Sequence, residues 1–252
     1  MDGRVQEAAA WGEVVKYAAY CGTRNIYRDM ERSARSVIAN SDVDRVYFFI
    51  EDDEFPCELP PIIECVNVSN QAYFPKGSAN MKTKYTYMAL MRAALYKLLP
   101  DVDKVLSLDC DTIAVKDCSH AWDFDVTDCY FAATPEKWTK NRPGLVYCNI
   151  GVALLNLEKL RDGKADEIMS VLNSHYFRWV DQDAYNYLCQ GRIAFMDSSY
   201  NHNEWVVDGP PPRIIHYAGR DNWRENVEVL KYRDMPWSKV MELHDDIQSR
   251  IA

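Results

Sequence analysis

The chain has 252 residues, 48% of them apolar, which is enough for one substantial core, and one α/β domain suits that length at least as well as two small ones. Its 38 acidic against 29 basic residues leave a net charge of −9, which excludes a coat of phosphate contacts to nucleic acid and a polybasic membrane anchor. Met1–Trp11 lacks a basic, apolar leader and no window approaches the roughly eighteen apolar residues of a membrane span, so the expectation is a cytoplasmic protein that handles small molecules.

Residues 1–12 read as an N-terminal extension. Val14–Tyr20 is an apolar run of strand length, and from Asn25 to Ala39 the residues Ile26, Met30, Ala34, Val37 and Ile38 recur with helical spacing. Val43–Ile50 is a second strand, closed by the acidic run Glu51–Glu54 and Pro56, and the order strand, helix, strand predicts a parallel crossover. Pro60–Val68 offers a third strand. A long helix is predicted from Asn80 to Leu99, stopped by Pro100. At about 100° per residue, Met88, Met91, Leu95, Leu98 and Leu99 share one face of it, and Arg92 falls at the edge of that face. A guanidinium aimed at a core needs an anion or several carbonyls. Arg92 therefore pairs with a structural carboxylate, snorkels to water, or braces the loop that follows or a nucleotide.

Lys104–Leu108 is a short apolar run ending in Asp109-Cys110-Asp111. If the extended backbone continues past Leu108, both carboxylates point to one side, at the carboxyl end of a strand, where open α/β sheets bind ligands. Two carboxylates can hold a hard cation, and the cation can grip a diphosphate; the plainer alternative is an acidic turn capping a buried strand.

An aromatic-rich stretch from Trp122 to Trp138 precedes a strand at Leu145–Leu157, whose Asn149 and Gly151 suit a hydroxyl-rich ligand and a close approach, or else mark a bulge. Leu160 to Trp179 reads as a helix, and a shorter one contains Asp183–Cys189. Asp181 and Gln182 at its start either cap it or project into a cleft. After Pro210–Pro212 comes His216, a core imidazole or a third metal ligand, and mixed carboxylate and imidazole ligation suits manganese better than magnesium. Gly219 can present backbone N–H groups to phosphate. Residues 235–252 form a C-terminal helix that covers the sheet or binds a partner. Trp122, Trp138, Trp179 and Trp205 are core or a carbohydrate platform. The eight cysteines contain no Cys-x-x-Cys pair and read as reduced, small core residues.

In chain order, Gly22–Tyr27, Arg92 twelve residues before Lys104, Leu108–Asp111, Cys148–Val152 with Leu155–Leu157, Asp181–Asp183, and His216–Gly219 with Trp223 form an ordered set. Together they resemble the family 8 glycosyltransferases, a retaining group with the GT-A fold. The resemblance implies one Rossmann-like α/β domain over residues 1–252 with a mostly parallel central sheet flanked by helices. It also implies a donor, UDP-glucose or UDP-galactose, bound through Mn²⁺ (or Mg²⁺) held by Asp109, Asp111 and His216. Tyr20, Thr23, Tyr27, Arg92 and Cys110 would meet the nucleotide, and Gly219 and Arg220 the diphosphate. Arg92, Asn149, Gly151, Asp181 and Gln182 would surround the transferred sugar, with Asp181 and Gln182 catalytic and Gln182 beneath the anomeric carbon. The acceptor would be a glycan, lipid or protein, and a homo-oligomer stays open. Two departures stand out: Asn222 occupies the place of the family's diphosphate-binding lysine, and Tyr20-Cys21-Gly22 lacks the acidic residue many members carry near the uracil. A non-catalytic nucleotide-sugar binding protein is the alternative. A nucleotidyltransferase is a third, though Gly22–Arg24 makes a poor phosphate loop for it.

Overall fold

A computed structural model describes residues 15–83, 85–141 and 144–251, so the extension expected at 1–12 lies outside the described residues. Strand β1 (Tyr17–Cys21) is followed by a single 3₁₀ turn and helix α1 (Tyr27–Ile38), then β2 (Arg45–Ile50) and β3 (Ile63–Asn67). These match the predicted elements within a few residues because each is an apolar run or an apolar stripe ended by a clear breaker. β1, β2 and β3 pair in parallel, and β4 (Lys104–Leu108) joins β1 in parallel on the other side.

The long helix predicted over 80–99 is a correction. A 3₁₀ segment, Tyr87–Ala94, leads into one α-helical turn, α2 (Leu95–Leu98). Ahead of it the chain is held as turns: Asn80 donates to the carbonyls of Leu172 at 2.6 Å and His175 at 2.7 Å and accepts from the Phe177 N–H at 2.9 Å. A side chain committed to backbone groups some ninety residues away competes with local helix formation.

A second correction concerns the acidic loop. The strand stops at Leu108, Asp109–Asp111 form a turn, and β5 (Thr112–Ala114) starts a new two-stranded ribbon with β9 (Ile214–His216). Strand alternation therefore does not align the two carboxylates; the turn does, with the Thr112 hydroxyl donating to the Asp109 carbonyl at 2.8 Å.

Between them run β6 (Phe131–Pro135), β7 (Cys148–Asn156), α3 (Leu157–Leu160), α4 (Lys164–Ser174), α5 (Val180–Leu188) and β8 (Ile193–Phe195). The helix expected over 160–179 is broken at Gly163, whose φ of +109° suits only glycine. The sheet order is β3-β2-β1-β4-β7-β6-β8, with β7 antiparallel to both neighbours and every residue of it buried. A mostly parallel sheet needs cover on both faces. α1, α6 (Val227–Arg233) and α7 (Trp237–Ile251) pack on one side with Met30, Phe48 and Tyr232, and α2 to α5 on the other with Met91, Phe131 and Tyr185. The terminal helix thus covers the fold rather than standing free: His244 meets the Val43 carbonyl at 2.8 Å and Arg35 lies 4.8 Å over the Trp237 ring. Trp122 is core, its indole N–H donating to the Tyr17 carbonyl at 2.8 Å, whereas Trp138, Trp179 and Trp205 are each about half exposed. All eight cysteines are free thiols; Cys118, Cys148 and Cys189 are buried as expected, but Cys57 is exposed. No helix among the described residues is long and apolar enough to cross a membrane.

Candidate active site

The acidic turn Asp109–Asp111 follows the carboxyl end of β4, and the β5–β9 ribbon meets it there. The β5–β9 ribbon pairs Thr112 with His216, and the Tyr217 N–H donates to the Asp111 carbonyl at 2.9 Å, so the imidazole is delivered beside the acidic turn. His216 Nε2 lies 3.3 Å from Asp111 Oδ1 and 3.7 Å from Asp109 Oδ2. One ligand atom from each of the three residues lies within 4.8 Å of the others. The imidazole is buried, while the two carboxylates are partly open to solvent. Burial alone would lower the His216 pKa, but Asp111, with Asp109 behind it, outweighs that and leaves it above its ordinary value. The Asp111 carboxyl is held below its ordinary range, because His216 outweighs the burial that would raise it. Two hard oxygen donors and one imidazole nitrogen around a half-open space fit a divalent cation of the manganese or magnesium kind.

Gly151 explains how the ring fits. The Asp109 N–H donates to the Gly151 carbonyl at 2.7 Å, and a Cβ on Gly151 would sit 2.0 Å from His216 Cε1. The space beside this glycine is the seat of the imidazole, not an opening for a ligand.

Arg92 is the second centre. It donates to Asp181 Oδ2 at 2.6 Å, to Asp109 Oδ1 at 2.5 Å and to the Ser107 hydroxyl at 2.9 Å. Burial opposes its charge, yet Asp181 and Asp109 keep the guanidinium above its usual pKa. For Asp181, burial wins over Arg92 and pushes the carboxyl up to about 6. Two of the readings open for Arg92 therefore hold together: it pairs with a buried carboxylate, Asp181, and ties down Asp109 of the acidic loop, and it does not snorkel to water. Asp181 is not the N-cap of α5: that position is Trp179, whose side chain makes no capping bond and whose N–H donates to Asp183 at 2.8 Å.

Gln182 donates from Nε2 to Glu136 Oε1 at 3.1 Å and to the Tyr147 hydroxyl at 3.3 Å, and its Oε1 accepts from the Ile150 N–H at 3.2 Å. Asn149 also donates to Glu136, at 3.3 Å, and the Trp138 indole completes the set at 2.5 Å. Glu136 is a buried carboxylate that sequence reasoning missed, because a single Glu after Pro135 carries no local signal; its partners lie up to 46 residues away.

The nucleotide-side expectations divide. Tyr20 is fully buried, its hydroxyl accepting from Ser33 at 3.0 Å and its ring edge-on to Phe48, so its side chain cannot face a base. Tyr27 is also buried, donating to Asp52 at 3.0 Å with its ring 5.1 Å from Phe55, and it floors an open depression lined by Arg24, Asp52, Asp53, Glu54 and Pro56. Thr23 is half-buried and its hydroxyl donates to Asn25. The Cys110 thiol turns under the loop toward the Cys21 carbonyl at 3.8 Å, and burial, then Asp109 and Asp111, push its pKa up. Gly219 adopts a φ of +69° in an exposed turn, with Arg220 exposed beside it. Arg224 was not anticipated. It grips Asp29 of α1 with bonds of 2.6 to 3.0 Å, stacks on Trp223 at 4.8 Å, and lies close enough to lower the Asp111 pKa.

A family model, glycosyl transferase family 8, matches residues 19–225. A Haemophilus influenzae protein whose name marks it, provisionally, as a glycosyltransferase is 27% identical over 164 residues, and the match spans 55% of this chain but only 49% of that protein. General stress protein A of Bacillus subtilis is 20% identical over 254 residues, covering 89% of this chain and 88% of its own. Among solved structures, the galactosyltransferase LgtC in complex with donor and acceptor sugar analogs superposes with a TM-score of 0.64 at 20% identity, covering 91% of this chain and 95% of LgtC. The glycosyltransferase GlyE of Streptococcus pneumoniae gives 0.66 at 18% identity over 94% of this chain and 64% of GlyE. At these identities the superpositions establish a shared GT-A fold.

Proposed function

Because the chain belongs to glycosyl transferase family 8, we propose that it is a retaining hexosyltransferase that moves glucose or galactose from a UDP-sugar to a glycan, lipid or protein acceptor, with a divalent cation, manganese in preference to magnesium. The observation that carries this reading is the convergence of Asp109, Asp111 and His216 from the acidic turn and the β5–β9 ribbon. Such a cation, when bound, offsets the charge that develops on a departing diphosphate.

The protein's own residues do the rest. Arg92 fixes the position of Asp109 from behind and holds Asp181 in the same grip, so the ligand carboxylate and the sugar-side carboxylate form one rigid unit. Asn149 and Gln182, both tied to Glu136, present oriented amides toward the transferred sugar, with Gln182 under the anomeric carbon. An amide whose oxygen already accepts from the Ile150 N–H is a poor covalent nucleophile, which favours same-face attack by the acceptor through an oxocarbenium-like state. Gly219, Arg220 and Arg224 line the diphosphate side, and the depression beside Tyr27 takes the base. The free thiols favour a reducing, cytoplasmic setting, and residues 1–252 act as one domain.

The test is UDP release from a panel of UDP-sugars with Mn²⁺, expected for the wild-type chain and lost in Asp109→Ala and Asp111→Ala. Folded, metal-loaded protein that releases no UDP from any donor overturns the reading. A second reading, a nucleotide-sugar binding protein without turnover, draws on Asn222 standing where the family's lysine would be. Tight UDP binding without release, with turnover appearing in Asn222→Lys, would favour it.

A further inference from the structure

We propose that Asn201, itself seated by Asn203, is a positioning residue that keeps the proton of the His216 imidazole on Nδ1, so that Nε2 faces Asp109 and Asp111 with a free lone pair. The proposal deepens the metal reading above and rests on it.

The argument turns on which atoms can be oxygen. Asn203 Oδ1 accepts from two backbone N–H groups, Trp205 at 2.9 Å and Val206 at 3.2 Å, so its amide cannot be reversed. Its amino group must then point to Asn201, where it donates to Oδ1 at 3.2 Å and to the main-chain carbonyl at 3.1 Å. Asn149 Oδ1 is fixed in the same way by the Gly151 N–H at 3.1 Å, and it accepts from the Asn201 amino group at 3.0 Å, which also donates to the Asn149 carbonyl at 2.9 Å. Two oxygens of settled identity, Asn201 Oδ1 at 2.9 Å and Asn149 Oδ1 at 3.1 Å, therefore converge on His216 Nδ1. Two acceptors facing one ring nitrogen require that nitrogen to carry hydrogen. Nε2 also faces acceptors, Asp111 Oδ1 at 3.3 Å and Asp109 Oδ2 at 3.7 Å, so the charged ring carries hydrogen on both nitrogens; with Nδ1 committed to two amide oxygens, the proton given up when the ring becomes neutral is that of Nε2, which is then left to bind metal.

Burial makes the arrangement rigid. Asn201 is wholly inaccessible, and Asn149, Asn203 and His216 are buried with it. The ring cannot slide, because it rests on Gly151. The backbone is tied as well: the His216 N–H donates to the His202 carbonyl at 3.0 Å, which fixes β9 beside the turn carrying Asn201. Nothing local in the sequence marks this cluster, since Asn149 and His216 lie 67 residues apart.

The experiment measures Mn²⁺ affinity of the full chain by electron paramagnetic resonance, together with ¹⁵N spectra of the His216 ring in metal-free protein above the imidazole's titration. Wild type should show Nδ1–H. Asn201→Leu should mix the tautomers and weaken Mn²⁺ binding by about 10- to 100-fold, whereas Asn201→Asp, which keeps an acceptor on Nδ1, should retain more of the affinity than Asn201→Leu. Asn203→Ala, one step further from the ring, should weaken binding in the same direction but less, and it serves if Asn201→Leu does not fold. A purely structural role would lower the melting temperature of these variants without altering the affinity of the folded fraction or the ring spectrum. Unchanged Mn²⁺ affinity in folded Asn201→Leu, or an Nε2–H ring in wild type, overturns the proposal. Absence of Mn²⁺ uptake by wild type overturns the metal reading instead, and the ring spectrum still decides the tautomer.

Discussion

The two halves of the cleft are built on opposite electrostatic plans. On the Arg92 side the charges answer one another inside the protein: one guanidinium meets Asp181 at 2.6 Å and Asp109 at 2.5 Å, and Glu136 is surrounded by the amides of Asn149 and Gln182 and an indole N–H. On the His216 side two carboxylates lie partly open beside one imidazole, with Arg224 engaged by Asp29. The first half holds its shape without a ligand, while the second gains from any cation that enters. Preorganised dipoles next to an acidic corner suit a site that must fix one group and neutralise another.

Removing an acidic ligand should separate the halves most sharply. Asp111→Ala is expected to cut transfer on the order of a thousandfold, as loss of several kcal/mol of charge stabilisation would, while leaving the melting temperature nearly unchanged; steady-state UDP release and calorimetry measure the two. Arg92→Leu should do the reverse in stability, costing about 3–5 kcal/mol in urea denaturation because it strands the buried Asp181 carboxylate, and Asp181→Leu in the same background should recover part of that loss. Gly151→Ala is expected to push the His216 ring out of place, weakening Mn²⁺ binding while costing about 1–3 kcal/mol of stability through overpacking.

A gentler probe is pH. Burial pushes the Asp181 carboxyl of the folded chain up to about 6, against an ordinary ~3.9 for the unfolded chain. Between those values the unfolded chain has released the proton that the folded chain still binds, so this group's contribution to stability falls as pH rises from about 4 to about 6. Asp181→Asn should flatten that part of the urea-midpoint profile. The smallest effect is expected at Cys57: it is exposed, but burial of its sulfur and the neighbouring Glu31 push the thiol up to about 11, so alkylation at neutral pH should be slow and should accelerate in Glu31→Gln.

How much was legible in the sequence follows the same division. β1, β2, β4 and β7 and helix α1 are uninterrupted apolar runs or stripes, so local pattern was enough for them; the gathering of Asp109, Asp111 and His216 came from the resemblance, since the residues alone left His216 open as a core imidazole and strand alternation does not align the acidic pair. The 80–99 helix failed because Asn80 serves the C-terminal end of α4, a commitment no window of neighbouring residues reveals. Tyr20 was placed at the nucleotide by its motif position, yet strand alternation and Ser33 turn its ring into the core. Asp181 stayed open between a cap and a cleft residue because helix starts favour acids, and only a guanidinium 89 residues earlier shows what holds it. Glu136, Asn201 and Arg224 escaped notice for one reason: each is a single polar residue whose meaning lies in partners brought close only by the sheet.

Gly151 and His216 occupy what amounts to a single volume divided between two strands. Positions 151 and 216 should accordingly behave as one unit of inheritance. A lineage that gains even a methyl at the first must surrender the imidazole at the second or shift the ribbon that carries it, so glycine here forecasts histidine there, and the two should be lost together or not at all.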